Sequence, residues 1–238
     1  MLEMIYERRS AEKKEERYDL FSSLLDANEQ EPGEGELKLS DRELIALNPQ
    51  EQEKLYQESR RVVPDGTLPS YEDINFLSYS LAVLNETLRL FPPVHSIPKS
   101  VAEDTTITIT NAAGEKTTIP MPAGSNISMH IPGLHYNPRY WKDPYAFKPE
   151  RFLENWPRDA FLPFSAGPRA CLGRRFTETE SIAVLTMISL RYEVRVLEEP
   201  QFAGETREER KARVLRSVSG VTMTPVRVPL VFKRRQPE

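Results

Sequence analysis

The amino-acid sequence predicts a mainly helical fold with small antiparallel β-sheets, a mixed α+β class. Apolar residues recur at helical spacing in the first 90 residues and again after residue 174. Between these regions, short runs within residues 106–130 alternate polar and apolar side chains and are separated by turn residues, which is typical of antiparallel strands. A chain of 238 residues can bury a sizeable core, as one large domain or as part of a larger one.

Composition excludes several classes of protein. The chain carries 32 basic and 36 acidic residues, and the resulting net charge of −4 gives no reason to expect nucleic acid as a partner. Its single cysteine, Cys171, excludes a disulfide framework and is compatible with a reducing compartment. We expect no signal peptide, and no apolar run approaches the roughly 18 residues of a membrane-spanning helix. The composition therefore predicts a soluble chain.

The N-terminal quarter is predicted to be helical and interrupted by a linker. Residues 2–27 combine a helical apolar stripe with an alternating charge run, and residues 29–36 form an acidic linker. A capping box at Ser40 starts a second helix, yet Asn48 and the proline after it start another only eight residues later. That helix is expected to run to about Val62. The two start signals leave room for barely two turns between them.

A further helix is predicted over residues 71–91, where two prolines end it. The leucines at 77, 81, 84 and 88 mark its buried face. Glu86 and Arg89 lie one turn apart and away from this stripe. The default interpretation of such a pattern is an ordinary exposed pair of charges, which stabilises a helix by roughly a few tenths of a kcal/mol.

Strand patterns follow this helix. Residues 106–110, 116–119 and 126–130 are predicted to form one small antiparallel sheet. Residues 133–160 are loop-like and rich in proline and aromatic side chains, so we expect them to pack on a neighbouring element. Residues 214–232 contain short β-rich runs broken by glycine and proline, which predicts two or three edge strands.

Residues 161–175 contain the only cysteine and organise the rest of the sequence. Cys171 lies between Gly167 and Gly173 on a predicted tight loop that leads into a helix. Loop N–H groups and the positive end of that helix both favour a thiolate over a thiol. Arg169 could hold a carboxylate of a flat ligand that the glycines allow to approach closely. A thiolate, an approachable loop and an anion clamp together suit a haem iron.

Other roles for Cys171 stay open on the residues alone. A lone cysteine is most often a small buried hydrophobe, although that role leaves the spacing of the nearby glycines and arginine without a reason. A nucleophilic Cys/His enzyme or a structural zinc site is less favoured. Only three histidines, His95, His130 and His135, are present, and none lies in a recognisable catalytic signature.

The arrangement Phe164-x-x-Gly167-x-Arg169-x-Cys171-x-Gly173 resembles the haem-binding loop of the cytochrome P450 monooxygenases. The resemblance implies haem b as cofactor, with the Cys171 thiolate as the axial ligand of the iron. It implies that one oxygen atom enters a small organic substrate while the other becomes water. Electrons would come from NADPH through a separate reductase. The motif order is most similar to the membrane-bound eukaryotic branch, which implies the cytosolic face of the endoplasmic reticulum membrane.

Further stretches resemble the same family, in the family's order. Glu86-Thr-Leu-Arg89 is similar to its Glu-x-x-Arg pair, and the Pro-Glu-Arg-Phe sequence that contains Arg151 is similar to a second motif. The resemblance implies that these three residues form a buried network under the haem loop, which fixes geometry more than it adds stability. Lys99 stands where the family often has an arginine on a haem propionate. His135 matches a position that can also touch a propionate.

The resemblance implies that residues 1–238 are a partial cytochrome P450 domain, the C-terminal half of a family member. Residues 1–62 would be a helical segment with a linker, and residues 63–135 a helix with a small sheet. Residues 136–238 would contain the meander, the haem loop, a buried helix and C-terminal strands. Membrane contact is expected only through an N-terminal anchor that this sequence does not contain.

One departure concerns the family's long distal helix, which carries its oxygen-activating motif. This helix should lie between the helices that start at Ser40 and Pro49. Residues Ile45–Asn48 instead run straight from what resembles its first turn to what resembles its last, which indicates an internal deletion. We therefore assign no catalytic residue, and a truncated, inactive family member or haem-binding remnant is the alternative function. An unrelated helical interaction protein with a buried cysteine is a third hypothesis.

Overall fold

The computed structural model describes residues 47–236 apart from residues 65, 112, 220 and 221, and these fall within one compact unit. Its helices are α1 (Pro49–Val62), α2 (Ser78–Leu90), α3 (Ile131–His135), α4 (Arg174–Arg191) and α5 (Arg207–Val214). Its strands are β1 (Ser96–Ser100), β2 (Thr105–Thr110), β3 (Lys116–Met121), β4 (Asn126–His130), β5 (Tyr192–Val196), β6 (Ser217–Ser219), β7 (Met223–Pro225) and β8 (Leu230–Arg234). This mixture of helices and small antiparallel sheets confirms the predicted fold class. The elements predicted before residue 47 lie outside the described residues.

Helices α1, α2 and α4 pack together to form the core. Their contacts include two buried apolar clusters, one of Leu55, Tyr79, Val83 and Leu185 and the other of Ile74, Leu77 and Ile182. Helix α1 begins at Pro49 and ends at Val62 as predicted, although the Asn48 side chain does not make the expected capping hydrogen bond. Among the described residues, no helix is long and apolar enough to cross a membrane.

The helix predicted over residues 71–91 is divided in the structure. A short 3-10 turn covers Asp73–Phe76, and Leu77 leaves the helical conformation with φ −94° and ψ 56° before α2 begins. The physical reason is packing, because the Leu77 side chain is fully buried in the core. Helix α2 is buried beyond its leucine face, and Glu86 and Arg89 are both fully buried. The interpretation of this pair as exposed surface charges is therefore wrong.

The described strands form four two-stranded antiparallel ladders, not the single sheet that we predicted for residues 106–130. Strands β2 and β3 form the predicted hairpin. Strand β4 pairs with β1, which the sequence pattern does not reveal because Pro98 lies within it. Lys99 lies on β1 opposite Ile127. In the C-terminal region β5 pairs with β8 and β6 with β7.

Polar contacts connect α1 to α4, the helix that follows the cysteine loop, and to strand β5 after it. The Gln52 side chain pairs with the backbone of Val194, with its Nε2 2.9 Å from the carbonyl oxygen and its Oε1 2.6 Å from the amide nitrogen. The hydroxyl oxygens of Ser59 and Ser189 lie 2.8 Å apart. Buried polar groups cost free energy unless they are paired, so these contacts define the positions of α4 and β5 on α1.

Candidate functional site

Glu86 on α2 is the centre of a buried group of charges. Its carboxylate accepts two hydrogen bonds from Arg89, at 2.7 Å from Nε to Oε2 and 2.9 Å from Nη2 to Oε1. Nε of Arg151 lies 3.1 Å from Oε1, and the backbone N–H of Lys148 donates to the same oxygen at 2.9 Å. The structure thus brings together the three charged residues that the family motifs group. Four hydrogen bonds compensate the carboxylate for its loss of water.

Arg89 and Arg151 connect this carboxylate to the backbone of residues 142–146. Arg89 donates from Nη1 and Nη2 to two carbonyls of the segment at 2.8 and 3.3 Å. Arg151 donates to three carbonyls at 3.0, 3.4 and 3.4 Å. The carbonyls belong to Lys142, Asp143, Pro144 and Ala146. Asp143 has a φ of 48°, an uncommon conformation for a residue other than glycine, and these hydrogen bonds hold the chain in it.

Trp141 packs beside the two arginines and extends the site towards the cysteine loop. Its ring centroid lies 5.3 Å from the guanidinium of Arg89 and 6.0 Å from that of Arg151. The indole N–H donates to the carbonyl of Ala160 at 3.3 Å. Trp141 belongs to an aromatic cluster with Phe152, Trp156 and Phe161, in which contacting rings have centroids 5.0 to 6.4 Å apart. This cluster anchors the start of the cysteine loop in the core.

His135 joins α2 to the same loop. Its side chain is fully buried, with Nδ1 3.1 Å from the carbonyl oxygen of Arg89 and Nε2 3.0 Å from the backbone nitrogen of Leu162. A carbonyl can only accept and an N–H can only donate, so Nδ1 carries the proton and Nε2 does not. Arg89 donates in return to the carbonyl of His135 at 2.8 Å. Both ring nitrogens are engaged, so this geometry gives no support to the predicted contact of His135 with a propionate.

The electrostatic surroundings of His135 favour the neutral form that these contacts require. Burial lowers the pKa of His135 to about 4, and the nearby charge of Arg89 acts in the same direction. The imidazole also stacks on the ring of Phe161, with centroids 5.4 Å apart. A protonated imidazole could not accept the hydrogen bond from Leu162. The link between α2 and the cysteine loop therefore depends on a neutral histidine.

The loop over residues 161–173 presents Cys171 at the surface as a free, exposed thiol. Two of its residues, Ser165 and Gly167, have positive φ angles of 60° and 74°, which turn the chain tightly. The N–H of Cys171 donates to the carbonyl of Phe164 at 2.8 Å and closes the loop. Helix α4 follows directly, as predicted. The structure thus supports the thiol on a compact loop, not in the core where a structural cysteine would lie.

The surroundings of Cys171 fit a flat and largely apolar ligand. Leu172 is fully exposed and Phe176 largely exposed, although both side chains are apolar and lie within five residues of Cys171 in the chain. Arg169 and Lys99 are also exposed. In the part of the chain that the structure describes, neither side chain forms a hydrogen bond or an ion pair, and no such contact joins Lys99 to the loop. Both cations are therefore available to pair with carboxylates of a ligand.

Comparisons with known proteins define the family. The model of the family "Cytochrome P450" matches residues 44–218. Cytochrome P450 monooxygenase 124 of Postia placenta is 59% identical over an alignment that covers 99% of this chain and 50% of the relative. Cytochrome P450 4X1 of Mus musculus is 36% identical over 68% of this chain and 32% of its own length. Taurochenodeoxycholic 6 alpha-hydroxylase of Sus scrofa is 34% identical over 63% of this chain and 29% of its own length.

The chain therefore belongs to the cytochrome P450 family, which confirms the resemblance seen in its motifs. It spans half or less of the length of these curated relatives.

Replacing Glu86 with glutamine should lower the free energy of unfolding by about 3–5 kcal/mol, because the buried Arg89 and the partly buried Arg151 would lose their counter-charge. Urea unfolding followed by circular dichroism measures the change. Glu193→Gln removes a partly exposed partner of the exposed Arg195 and is the matched control, with an expected cost below about 1 kcal/mol. A loss below about 1 kcal/mol for Glu86→Gln would contradict a buried network.

Stability should fall as the pH drops from about 6.5 to about 4. The pKa of His135 is about 4 in the folded chain and 6.5 when unperturbed, so the unfolded chain binds a proton in this window that the folded chain does not. This contribution is complete above pH 6.5, and on the order of 3 kcal/mol is lost by pH 4. Urea unfolding at several pH values across this range gives the free energy of unfolding, and its dependence on pH should have a shallower slope in His135→Gln than in wild type. Equal slopes for wild type and His135→Gln would contradict the assignment.

Proposed function

We propose that this chain supplies the haem-binding half of a haem-thiolate monooxygenase, with Cys171 as the axial ligand of haem b. The observation that carries the proposal is the exposed thiol on a closed loop that His135 connects to the buried Glu86 network. Family membership supports the chemistry, since the Postia placenta relative is named a monooxygenase. Insertion of one oxygen atom into a small organic substrate is the reaction that these observations favour.

Several residues of the loop, together with Lys99 on β1, would hold such a cofactor, each through a different contact. Cys171 would supply the thiolate, and the bound haem would supply the iron chemistry that activates oxygen, which a thiolate ligand promotes. A Cβ at Gly173 would stand 3.9 Å from the Cys171 sulfur, so its absence keeps the approach to the thiol open. Gly167 allows the tight turn, with a φ of 74°. Arg169 and Lys99 would hold the propionates.

The partners and location of the whole protein follow from the family alone. Electrons would come from NADPH through a separate reductase, and the family's eukaryotic branch supports the endoplasmic reticulum membrane as the site of action. The Glu86, Arg89 and Arg151 network would act as scaffold, because it lies in the interior and its contacts are with backbone carbonyls. These roles are proposals for a protein of which this chain matches half.

A second candidate is a haem-binding protein without monooxygenase turnover, and one comparison favours it. The alignment with the Postia placenta relative spans 260 positions while this chain has 238 residues, so at least 22 positions have no residue from this chain. That number of residues is enough for about six turns of helix. It is compatible with the proposed deletion of a distal helix at Ile45–Asn48. Without that helix, water would reach the open face of the haem and favour release of peroxide over substrate oxidation.

Replacing Cys171 with serine should abolish the thiolate-type absorption spectrum of the haem-reconstituted chain. A hydroxyl group is harder than a thiolate and stays protonated, so it cannot replace the thiolate as a ligand of the iron. Absorption of the reduced carbon monoxide adduct measures the ligation. Circular dichroism should stay similar, since the thiol is exposed and packs against little. An unchanged Soret position together with unchanged iron content in Cys171→Ser would show that another residue binds the iron.

Inserting, at Ile45–Asn48, the residues of the Postia placenta relative that have no counterpart in this chain should decide between the two candidates. Both versions are reconstituted with haem and an NADPH-dependent reductase and compared for NADPH oxidation, peroxide release and product from a panel of lipophilic substrates. The restored chain should release less peroxide for each NADPH oxidised than the 238-residue chain, which should form no product. Coupled product formation by the 238-residue chain would contradict the deletion hypothesis and leave monooxygenation as its function.

A further inference from the structure

Helix α2, which carries Glu86 and Arg89, begins without a capping residue of its own. Its N-cap position is Leu77, whose aliphatic side chain cannot accept a hydrogen bond. The first N–H groups of a helix have no acceptor within the helix, and they cost free energy when they are buried unpaired. Tyr79 and Ser80 are both buried in the first turn. The acceptor for their N–H groups must come from another element.

Glu58 on α1 supplies that acceptor. Its Oε1 accepts from the N–H of Tyr79 at 2.7 Å, and its Oε2 accepts from the N–H of Ser80 at 2.9 Å. The hydroxyls of Ser78 and Ser80 donate to the same two oxygens at 3.2 and 3.0 Å. Within the described part of the chain Glu58 forms no ion pair. Four donors and the positive end of the α2 dipole compensate its buried charge.

A second contact between α1 and the site is much weaker. Lys54 pairs with Glu150, which lies in the 3-10 turn Pro149–Phe152 that also contains Arg151. Both side chains of this ion pair are about half exposed, and exposed ion pairs contribute little to stability. The carboxylate of Glu58 is more buried than this ion pair, and it accepts from the backbone N–H groups of the first turn of α2.

We propose that Glu58 is a positioning residue for the Glu86 network, because it fixes the residue at which α2 begins. Glu86 follows Tyr79 by seven residues, about 10 Å along a rigid helix. A shift of α2 as a rigid body would therefore move the carboxylate relative to Arg151, whose Nε lies 3.1 Å from it. Glu58 would have this role whether or not the chain binds haem, so failure of the haem proposal leaves it intact.

Glu58→Gln in a Trp156→Phe background tests the proposal. The chain has two tryptophans, so Trp141 is then the only one, and its ring centroid lies 5.3 Å from the Arg89 guanidinium. Its fluorescence consequently reports on the network. The glutamine amide keeps the shape of the side chain but turns one acceptor into a donor that faces an N–H group. Backbone amide hydrogen exchange reports separately on the first turn of α2.

In Glu58→Gln the amide hydrogens of Tyr79 and Ser80 should exchange about tenfold faster or more. The reason is that losing a hydrogen bond to a charged group raises the population of the open, exchanging state by at least about that factor. Trp141 emission should move to longer wavelength and become more accessible to acrylamide. Glu53→Gln makes the same chemical change at an exposed position of α1, and it should alter neither observable. Unchanged exchange and emission in Glu58→Gln would overturn the proposal.

If Glu58 contributed only to general stability, any substitution that destabilises the chain should shift Trp141 emission as Glu58→Gln does. Val214→Ala removes buried volume from α5, outside the apolar clusters that contain α2, and should leave Trp141 emission of the folded chain unchanged. An emission shift in Val214→Ala as large as in Glu58→Gln would overturn the positioning role. If Glu58→Gln does not fold, hydrogen exchange of the unaltered chain decides. Protected Tyr79 and Ser80 amides support the cap, and amides that exchange as in an unfolded peptide overturn it.

Discussion

The burial of the Glu86 carboxylate is the constraint on which the rest of the site depends. A buried charge is costly unless its surroundings compensate it, and here Arg89, Arg151 and the N–H of Lys148 donate four hydrogen bonds to it. The planar fork of a guanidinium accepts only a narrow range of acceptor positions. The network therefore specifies the path of residues 142–146 through their carbonyls, while its net contribution to stability is limited by desolvation.

His135 connects the buried Glu86 network to the surface loop that carries Cys171. Arg89 donates to the carbonyl of His135 and accepts from its ring through its own carbonyl, so the two residues hold each other in both directions. The second ring nitrogen then accepts from Leu162 at the start of the cysteine loop. The contact from Cys171 to Phe164 closes that loop. The position of an exposed thiol thus depends on a neutral, buried imidazole and on the buried ion pair of Glu86 and Arg89.

Local features of this arrangement could be predicted from the sequence, and long-range ones could not. The glycines around Cys171 and the apolar run after residue 174 predict the loop and its helix correctly, because both are local properties. Periodicity places Glu86 off the leucine stripe but cannot show its burial, since Arg151 lies 65 residues later in the chain. His135 meets partners 46 and 27 residues away, and Glu58 caps a helix that begins 20 residues later. Only the family motifs group Glu86 with Arg151, and no sequence signal predicts the contacts of His135 or the cap formed by Glu58.

The accessibility of Cys171 offers the most direct measurement of whether this interior scaffold presents a thiolate to haem. Because the chain has one cysteine, the rate of alkylation by iodoacetamide reports on that sulfur alone. We expect rapid alkylation of the haem-free chain, in which the thiol is exposed, and near-complete protection by one equivalent of ferric haem. Alkylation at the same rate with and without haem would contradict the proposed site.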